Sequence, residues 1–355
     1  MKDIRHYSLL AHNTFGIDVT CSRFLEFTTI EEAQKMVKML TPDDQPLMIL
    51  GGGSNLLLTG DYPGTVLHSG IKGIEVLDAE NANLGISASD IEAAEQQKLV
   101  LLACGSGEVF DDVVAYAVAN GYYGAENLSI IPGEVGASAV QNIGAYGVEA
   151  KDIIYKVQAV EVATGRVVVF DNADCEYSYR QSKFKHEWRD KYLVTHVVYK
   201  LSLTYSPNLD YGNIRSCLLE KGIEGVPTAQ QLRDVIIEIR NAKLPDPKVQ
   251  GNAGSFFINP IVDKAKFEEL QALYPKMPHY SMDALHEKIP AGWMIDQCGW
   301  KGKSLGKAGV HDKQALVLVN RGGAKGEDIV RLCHVICKDV KAKFGIEIHP
   351  EVNIK

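Results

Sequence analysis

Paired cysteines, long apolar runs and an excess of basic residues are all missing from this chain. Its seven cysteines are scattered and odd in number, which does not fit a disulfide framework. No apolar run approaches the roughly 20 residues that a membrane-spanning helix needs. The first residues, Met1 to His6, lack the apolar centre of a signal peptide. Together these absences predict a cytoplasmic protein without a membrane segment.

Acidic residues outnumber basic ones, with 45 Asp and Glu against 37 Lys and Arg, and the net charge is −8. This balance argues against a nucleic-acid partner, because nucleic-acid-binding proteins usually present a basic face. It does not argue against an anionic ligand, since local donors can outweigh the global charge. With 355 residues, of which 46% are hydrophobic, the chain predicts two or three globular domains that can enclose a cofactor.

A complete set of metal ligands is also missing. Cys333 and Cys337 lie four residues apart with His334 between them, but a structural zinc site takes four ligands. The neighbouring apolar residues recur at helical spacing, at Ile329, Leu332, Ile336 and Val340. We therefore predict two core thiols in a helix and no bound metal.

Hydrophobic periodicity predicts helices and strands that are mixed along the whole chain. The predicted helices cover residues 30–40, 110–118, 228–241, 265–274, 289–297 and 326–344. The predicted strands cover residues 47–50, 73–77, 99–103, 192–203 and 315–319, with a hairpin over 155–170. Thr228 and Gln231 have the spacing of a capping box, and the proline-rich run from Leu244 ends that helix.

Two glycine-rich segments are candidate binding loops. The segment Gly51, Gly52, Gly53, Ser54 and Asn55 follows a buried strand, and successive N–H groups there can form an anion-binding nest. By itself this run fits a plain tight turn equally well. Residues 121–147 contain six glycines and the polar side chains Asn127, Ser138, Gln141 and Asn142. We predict a long loop here, whose N–H groups and amides suit a diphosphate and a heteroaromatic ring.

Ser255 lies between glycine-rich backbone and two phenylalanines. Such a serine is either a nucleophile with a neighbouring base or a proton donor held against a substrate. The G-x-S-x-G pattern of a nucleophile turn is missing, which favours the proton donor. The alternative is a tight turn in which the hydroxyl only caps a helix.

These segments resemble the UDP-N-acetylenolpyruvoylglucosamine reductase family (UDP-N-acetylmuramate dehydrogenases). The similar segments run in the family's order along the chain, at residues 13–16, 51–55, 131–133, 141–147, 179–180, 243–247, 252–260, 291–297 and 350–352. The insertion around Tyr211 resembles the longer subtype, in which a tyrosine loop closes over the substrate. Phe110 and Ala139 depart from the tryptophan and proline that are common in the family, and Gln181 replaces an acidic residue.

The resemblance implies an α+β fold, with a two-part FAD-binding domain of the vanillyl-alcohol-oxidase type and a C-terminal α+β substrate-binding domain. The implied boundaries are residues 1–75, 76–243 and 244–355. FAD would be bound noncovalently. The residues implied to bind it are Gly51, Gly52, Gly53, Ser54, Asn55, Ile131, Pro132, Gly133, Gly136, Ala137, Ser138, Asn142, Ile143, Gly144 and Ala145.

The implied reaction is the NADPH-dependent reduction of UDP-N-acetylglucosamine-enolpyruvate to UDP-N-acetylmuramate, for peptidoglycan synthesis. Ser255 would donate the proton, while Arg180 and Glu351 would polarise the substrate carboxylate. The residues implied to bind the substrate are Tyr146, Tyr211, Lys243, Asn259 and Gln297. Two alternatives remain open: a flavin oxidase of the same fold, with His68 or Cys104 as the attachment residue, and a binding protein without turnover.

Overall fold

A computed structural model describes all residues from Met1 to Lys355. Strands and helices are mixed along the chain, as their periodicity predicts. The ten α-helices are α1 (Ile30–Met39), α2 (Ala88–Gln96), α3 (Phe110–Ala119), α4 (Val135–Gln141), α5 (Ala150–Ile153), α6 (Ile214–Glu220), α7 (Ala229–Lys243), α8 (Lys264–Leu273), α9 (Ala291–Gln297) and α10 (Gly326–Phe344). Short 3-10 helices lie at Leu10–His12, Pro42–Asp44, Glu126–Leu128, Asn172–Cys175 and Lys183–Lys185.

The twenty strands range from two to eleven residues in length. They are β1 (Lys2–Ser8), β2 (Thr20–Phe27), β3 (Leu47–Leu50), β4 (Leu56–Leu57), β5 (Tyr62–Ser69), β6 (Ile74–Leu77), β7 (Leu99–Gly105), β8 (Gly144–Ala145), β9 (Val148–Glu149), β10 (Ile154–Glu161), β11 (Val167–Asp171), β12 (Tyr192–Ser202), β13 (Asn252–Ser255), β14 (Ile261–Asp263), β15 (Tyr280–Ser281), β16 (His286–Lys288), β17 (Ser304–Leu305), β18 (Ala308–Val310), β19 (Val317–Asn320) and β20 (Asn353–Ile354).

The chain forms two compact units, each assembled from separate stretches of sequence. The first unit contains residues 1–7, 21–52 and 63–240. The second contains residues 8–20, 53–62 and 241–355. The domain boundaries implied after residues 75 and 243 stay predictions.

The first unit contains two sheets. In one, the strands follow the order β1-β2-β5-β3, and β3 runs parallel to β5, with Leu50 opposite His68. Helix α1 packs its apolar face on this sheet, where Met36, Leu25 and Leu67 are fully buried together. Thr29 caps that helix by accepting a hydrogen bond from the Glu32 N–H at 3.1 Å.

The second sheet of this unit has the antiparallel order β11-β10-β12-β7-β6. The predicted hairpin is confirmed as β10 and β11, which pair from Lys156 with Asp171 to Val160 with Val167. Helices α3 and α4 contribute to the core beside this sheet, through Phe110, Val114 and Ala139 among others. Phe110 packs edge-on against the buried ring of Tyr199, with 6.1 Å between the ring centroids. Phenylalanine therefore fills the core at this position, where tryptophan is common in the family.

The second unit contains the sheet β13-β19-β18-β17, the smaller sheet β14-β16-β15 and the parallel pair of β4 with β20. The predicted long helix is confirmed as α10. Its first residue must be glycine, because a β-carbon at Gly326 would lie 2.0 Å from the Leu58 carbonyl oxygen. Gly345 ends the helix in a left-handed conformation with φ at 66°.

The other predicted helices and strands are confirmed within a few residues, and one prediction is wrong. Residues 121–147 are not one long loop, because they contain α4, the 3-10 helix Glu126–Leu128 and the short strand β8. Helix α4 ends at Asn142, which adopts the left-handed conformation typical of a helix C-terminus, with φ at 46°. Strands β1, β2 and β5 and helix α2 were not predicted. No helix of the structure has the length and apolarity to cross a membrane.

Candidate functional site

The two glycine-rich segments meet in the first unit. A β-carbon at Gly51 would lie 3.2 Å from Ala137 Cβ and 3.3 Å from a Glu134 carboxylate oxygen. At Gly52 it would lie 3.6 Å from Gly133 Cα. Glycine at these positions therefore lets the two segments approach each other closely, and glycine has no side chain that would cover its own peptide groups. This arrangement fits the diphosphate part of a dinucleotide cofactor.

The remainder of the first segment lies in the second unit, beside the C-terminal strand. Gly53 has φ at 65°, and a β-carbon there would lie only 1.8 Å from the His12 carbonyl oxygen. The Asn55 carbonyl accepts hydrogen bonds from the N–H and the side-chain amide of Asn353, both at 3.2 Å. The Asn55 amide in turn donates to the Glu351 carbonyl at 3.5 Å. Ser54 and Asn55 are therefore held next to the candidate catalytic residue Glu351.

Three polar side chains of the second glycine-rich segment form hydrogen bonds with the protein's own backbone. Ser138 donates to the Val135 carbonyl at 2.7 Å and shares a hydrogen bond with the Tyr199 hydroxyl at 2.8 Å. The Asn142 amide donates to the Ser178 carbonyl at 2.8 Å, and its oxygen accepts from the Lys151 N–H at 2.9 Å. Asn127 likewise donates to two carbonyl groups. The geometry therefore favours backbone atoms, rather than these side chains, as ligand contacts.

The remaining implied cofactor residues lie in α4 or close to its ends. The Gly136 N–H donates to the Ser106 carbonyl at 2.8 Å, which fixes the start of this helix. Gly144 and Ala145 form β8, which pairs with β9. Ile131 and Ile143 pack at the margin of the apolar core beneath α4, and Pro132 directly precedes Gly133 at the turn.

Arg180 is fixed to the backbone of this same region. Its guanidinium group donates to the Gly144 carbonyl at 2.5 Å and to the Asn142 carbonyl at 3.3 Å. It also lies over the ring of Tyr179, 5.3 Å from the centroid. Gln181, the residue that departs from the acidic family pattern, binds His186 at 2.8 Å through its side-chain oxygen. The orientation of Arg180 is thus set by main-chain carbonyl groups.

Ser255 and Glu351 are brought together in the second unit. Ser255 is exposed at the end of β13, where it pairs with Val317. The next residue, Phe256, is fully buried, and its carbonyl accepts a hydrogen bond from the Glu351 N–H at 2.8 Å. The Ile258 N–H donates to the His349 carbonyl at 3.0 Å and extends this pairing. A serine hydroxyl and a carboxylate are therefore carried by two paired segments.

The five implied substrate residues fall into two groups. In the first unit, the rings of Tyr146 and Tyr211 meet edge-on with 6.3 Å between centroids. In the second unit, Asn259 caps helix α9 by accepting from the Ala291 N–H at 2.9 Å, and Gln297 is the last residue of that helix. Lys243 is the exposed last residue of α7.

Arg240 is a candidate functional residue that the sequence analysis missed. Its Nε atom is enclosed and has no hydrogen-bond partner in the structure, and burial lowers its pKa. Burial raises the pKa of the nearby Tyr146 hydroxyl, and the charge of Arg240 opposes that rise. A signal was present in the sequence, because Leu232, Ile236 and Arg240 follow at intervals of four and place the arginine on an apolar helix face.

The sequence analysis considered His68 only as a flavin attachment residue, but in the structure its ring lies between two carboxylates. Its two ring nitrogens lie 3.1 Å from Glu26 and 3.3 Å from Glu134, so it bridges two carboxylates. Glu134 is the side chain that contacts Gly51 and Gly52. Cys104, the other attachment candidate, is fully buried within β7. Neither geometry suits covalent attachment of a flavin.

The thiols in α10 are placed as predicted for core residues. Cys333 is buried, and Cys337 is partly buried with its thiol 3.3 Å from the Ile348 carbonyl oxygen. No group of three or more His, Cys, Asp or Glu side chains is arranged to hold a metal ion.

Two comparisons with known proteins indicate the class of this chain, a flavoprotein. A profile described as an FAD binding domain matches residues 22–171. The chain is also similar to the crystal structure of an oxidase of 6-hydroxy-D-nicotine from Arthrobacter nicotinovorans, with a TM-score of 0.51 at 13% identity over 98% of this chain and 86% of the other. The α+β fold is therefore confirmed as a flavoprotein fold of the vanillyl-alcohol-oxidase type.

A second profile, the C-terminal domain of UDP-N-acetylenolpyruvoylglucosamine reductase, matches residues 246–355. A reductase of that name from Bacteroides fragilis is 54% identical over 347 residues, which is 98% of both chains. The crystal structure of the enzyme from Thermus caldophilus superposes with a TM-score of 0.64 at 20% identity, over 99% of this chain and 98% of the other. The chain belongs to the UDP-N-acetylenolpyruvoylglucosamine reductase family.

Proposed function

We propose that this protein reduces UDP-N-acetylglucosamine-enolpyruvate to UDP-N-acetylmuramate, with NADPH as reductant and noncovalent FAD as the redox group. This reaction supplies a precursor of peptidoglycan, and we expect it in the cytoplasm. The observation that carries the proposal is the pairing of Ser255 with Glu351 through the hydrogen bond from the Glu351 N–H to the Phe256 carbonyl at 2.8 Å. This hydrogen bond holds the segments of the proposed acid, Ser255, and of the proposed anion-stabilising group, Glu351, side by side in the second unit.

Saturation of an enolpyruvyl double bond adds a hydride equivalent to one carbon and a proton to the other. FAD, held by residues 51–55 and 131–145, would supply the hydride-transfer chemistry that links NADPH to the substrate. Ser255 donates the proton, because its hydroxyl is exposed while the strand that carries it is anchored by the buried Phe256. Glu351 and Arg180 polarise the substrate carboxylate, so that the negative charge that develops on the enolate is delocalised.

We assign FAD binding to residues 51–55 and 131–145, the proposed cofactor cradle. Gly51 and Gly52 suit the diphosphate because glycine has no side chain that would cover the peptide N–H groups. Glu134 adds a carboxylate at this place, and one of its oxygens lies 3.3 Å from a ring nitrogen of His68. Tyr146, Tyr211, Lys243, Asn259 and Gln297 bind the UDP-sugar, with cations and donors for its own diphosphate.

The two alternatives explain less. An oxidase with a covalent flavin needs an accessible attachment residue, but Cys104 is buried and His68 is bridged by two carboxylates. A binding protein without turnover leaves the joint presence of Ser255, Glu351 and Arg180 without a purpose.

The test separates the two half-reactions in the Ser255→Ala variant. The variant should retain FAD and bleach with NADPH at the parental rate, since the proton donor is not used in that step. Its reoxidation by the enolpyruvyl nucleotide should be slower by about 10²-fold or more, as expected for a positioned general acid. Rapid-mixing absorbance of the flavin band measures both rates. Ser304→Ala, at an exposed serine in β17, is a matched control. Parental reoxidation of Ser255→Ala would refute the assignment.

A further inference from the structure

Asn127 joins two segments that carry the substrate tyrosines. Its side chain is almost completely buried, with 2% of its surface exposed. The amide donates one hydrogen bond to the Tyr146 carbonyl at 2.8 Å and another to the Asn208 carbonyl at 3.0 Å. We propose that Asn127 is a positioning residue for substrate binding, which holds the Tyr211 loop against Tyr146. The substrate part of this inference rests on the function proposed above.

The loop that Asn127 holds has little regular structure of its own. Residues 203–213 lie between the end of β12 and the start of α6 and contain no helix or strand. Leu209 anchors the loop through apolar contacts with the α6 and α7 cluster. A further hydrogen bond, from the Asn208 amide to the Gly147 carbonyl, is longer, at 3.5 Å. The amide of Asn127 is therefore a short polar link between this loop and the Tyr146 segment.

The segment of Tyr146 and Gly147, which Asn127 joins to this loop, has an unfavourable backbone conformation. Tyr146 has φ at 49°, in the left-handed region that is unfavourable for a residue with a β-carbon. It is followed by Gly147 at φ 81°, where a β-carbon would lie 3.2 Å from the Asn208 amide nitrogen and 3.5 Å from Tyr211 Cβ. Because the carbonyl of Tyr146 is fixed by Asn127, the backbone can keep this conformation and present its ring to Tyr211.

The chemistry of the link explains why asparagine stands at this position. Two partly buried carbonyl groups accept here, and a side-chain amide supplies two hydrogens from one nitrogen. Aspartate has nearly the same shape, but an ionised carboxylate accepts only and would face two carbonyl oxygens. Asn127→Asp therefore removes the link while it preserves the volume.

Asn172 provides a matched control elsewhere in the same unit. Its amide also donates to two carbonyl groups, those of Lys151 and Ile154, both at 2.9 Å. Asn172→Asp introduces the same chemical change without contact to the tyrosine loop. Asn127→Ser, which keeps one donor, is a milder second variant that allows folding if the aspartate does not.

We expect Asn127→Asp to raise KM for the enolpyruvyl nucleotide by about tenfold or more, with Asn127→Ser between it and the parent. Bleaching of the flavin by NADPH should stay within about twofold of the parental rate, as should both properties of Asn172→Asp. A second readout needs no substrate. Trypsin should cleave after Arg215, just beyond the loop, faster in Asn127→Asp than in Asn172→Asp, as measured by mass spectrometry.

These readouts distinguish the inference from the function on which it rests. Equal cleavage after Arg215 and equal KM in the two aspartate variants would overturn the positioning role. Faster cleavage in Asn127→Asp with unchanged KM would show that Asn127 holds the loop but that the loop does not bind the nucleotide, which refutes the substrate part of the inference. If the parent protein is not reoxidised by the enolpyruvyl nucleotide, the proposed function is refuted, while the cleavage readout still tests whether Asn127 holds the loop.

Discussion

Gly53→Ala tests whether close backbone approach shapes the glycine-rich segment. Gly53 has φ at 65°, where a residue with a β-carbon loses about 1–2 kcal/mol. The new β-carbon would also lie 1.8 Å from the His12 carbonyl oxygen, so the backbone must move. Overpacking of this kind costs about 1–3 kcal/mol. Together we expect a loss of about 2–5 kcal/mol in the free energy of unfolding.

Two other glycines of the second unit separate these contributions. Gly16 also has positive φ, at 63°, but an added β-carbon would meet nothing within 4 Å. Gly16→Ala should therefore show the conformational cost alone, about 1–2 kcal/mol. At Gly60 an added β-carbon meets nothing within 4 Å, and φ lies outside the left-handed region. Gly60→Ala should be neutral or stabilising by up to about 1 kcal/mol, because alanine restricts the unfolded chain.

The assay is urea unfolding of the three variants, followed by far-UV circular dichroism, together with the flavin content of each purified protein. Only Gly53→Ala should also lose flavin, because the displaced backbone continues into Ser54 and Asn55 of the cofactor cradle. If Gly53→Ala and Gly16→Ala are destabilised equally, the contact with His12 does not constrain the segment and the reasoning is wrong.

Two further predictions concern single polar groups. Tyr211→Phe should weaken binding of the UDP-sugar by about 1 kcal/mol, the worth of one hydrogen bond, and titration calorimetry that finds an unchanged affinity would reduce Tyr211 to a packing residue. Burial raises the pKa of Glu126, whose Oε1 has no partner, so its contribution to stability is present below the unfolded-state pKa and is lost as the pH rises through the folded-state pKa. Glu126→Gln cannot ionise and should gain stability relative to the parent as the pH rises above the ordinary pKa of a glutamate, about 4.5, measured as unfolding midpoints, and parallel pH profiles would contradict this account.

Features that depend on neighbouring residues were predictable from the sequence. The capping box is present at α7, where the Thr228 N–H donates to the Gln231 side chain at 2.8 Å and the Gln231 N–H donates to the Thr228 hydroxyl at 3.1 Å. The periodicity of α10 gave both its ends. In each case the partners lie within a few positions along the chain, so that their spacing is visible in the printed sequence.

The edge strands and α4 were harder to predict because the local signals are weak or conflict. Strand β1 is mostly exposed, with the sequence KDIRHYS, and shows no alternation of polar and apolar residues. Helix α4 contains a glycine and follows a proline-glycine turn, which favours a loop when neighbours alone are considered. Its N-terminal residues are fixed instead by Ser106 and Glu108, whose carbonyl groups accept from Gly136 and Val135.

The family motifs identify side chains that would meet the ligands, but not the residues that hold those side chains in place. Asn127 acts on carbonyl groups 19 and 81 positions away, and His68 acts on carboxylates 42 and 66 positions away. No spacing within the chain signals such partners, since they are set by the packing of separate elements. A buried polar group must nevertheless be satisfied or lose stability. The hydrogen-bonded amide of Asn127 therefore shows which segments the fold holds together, whereas the Nε of Arg240 is an enclosed donor without a hydrogen-bond partner in the structure.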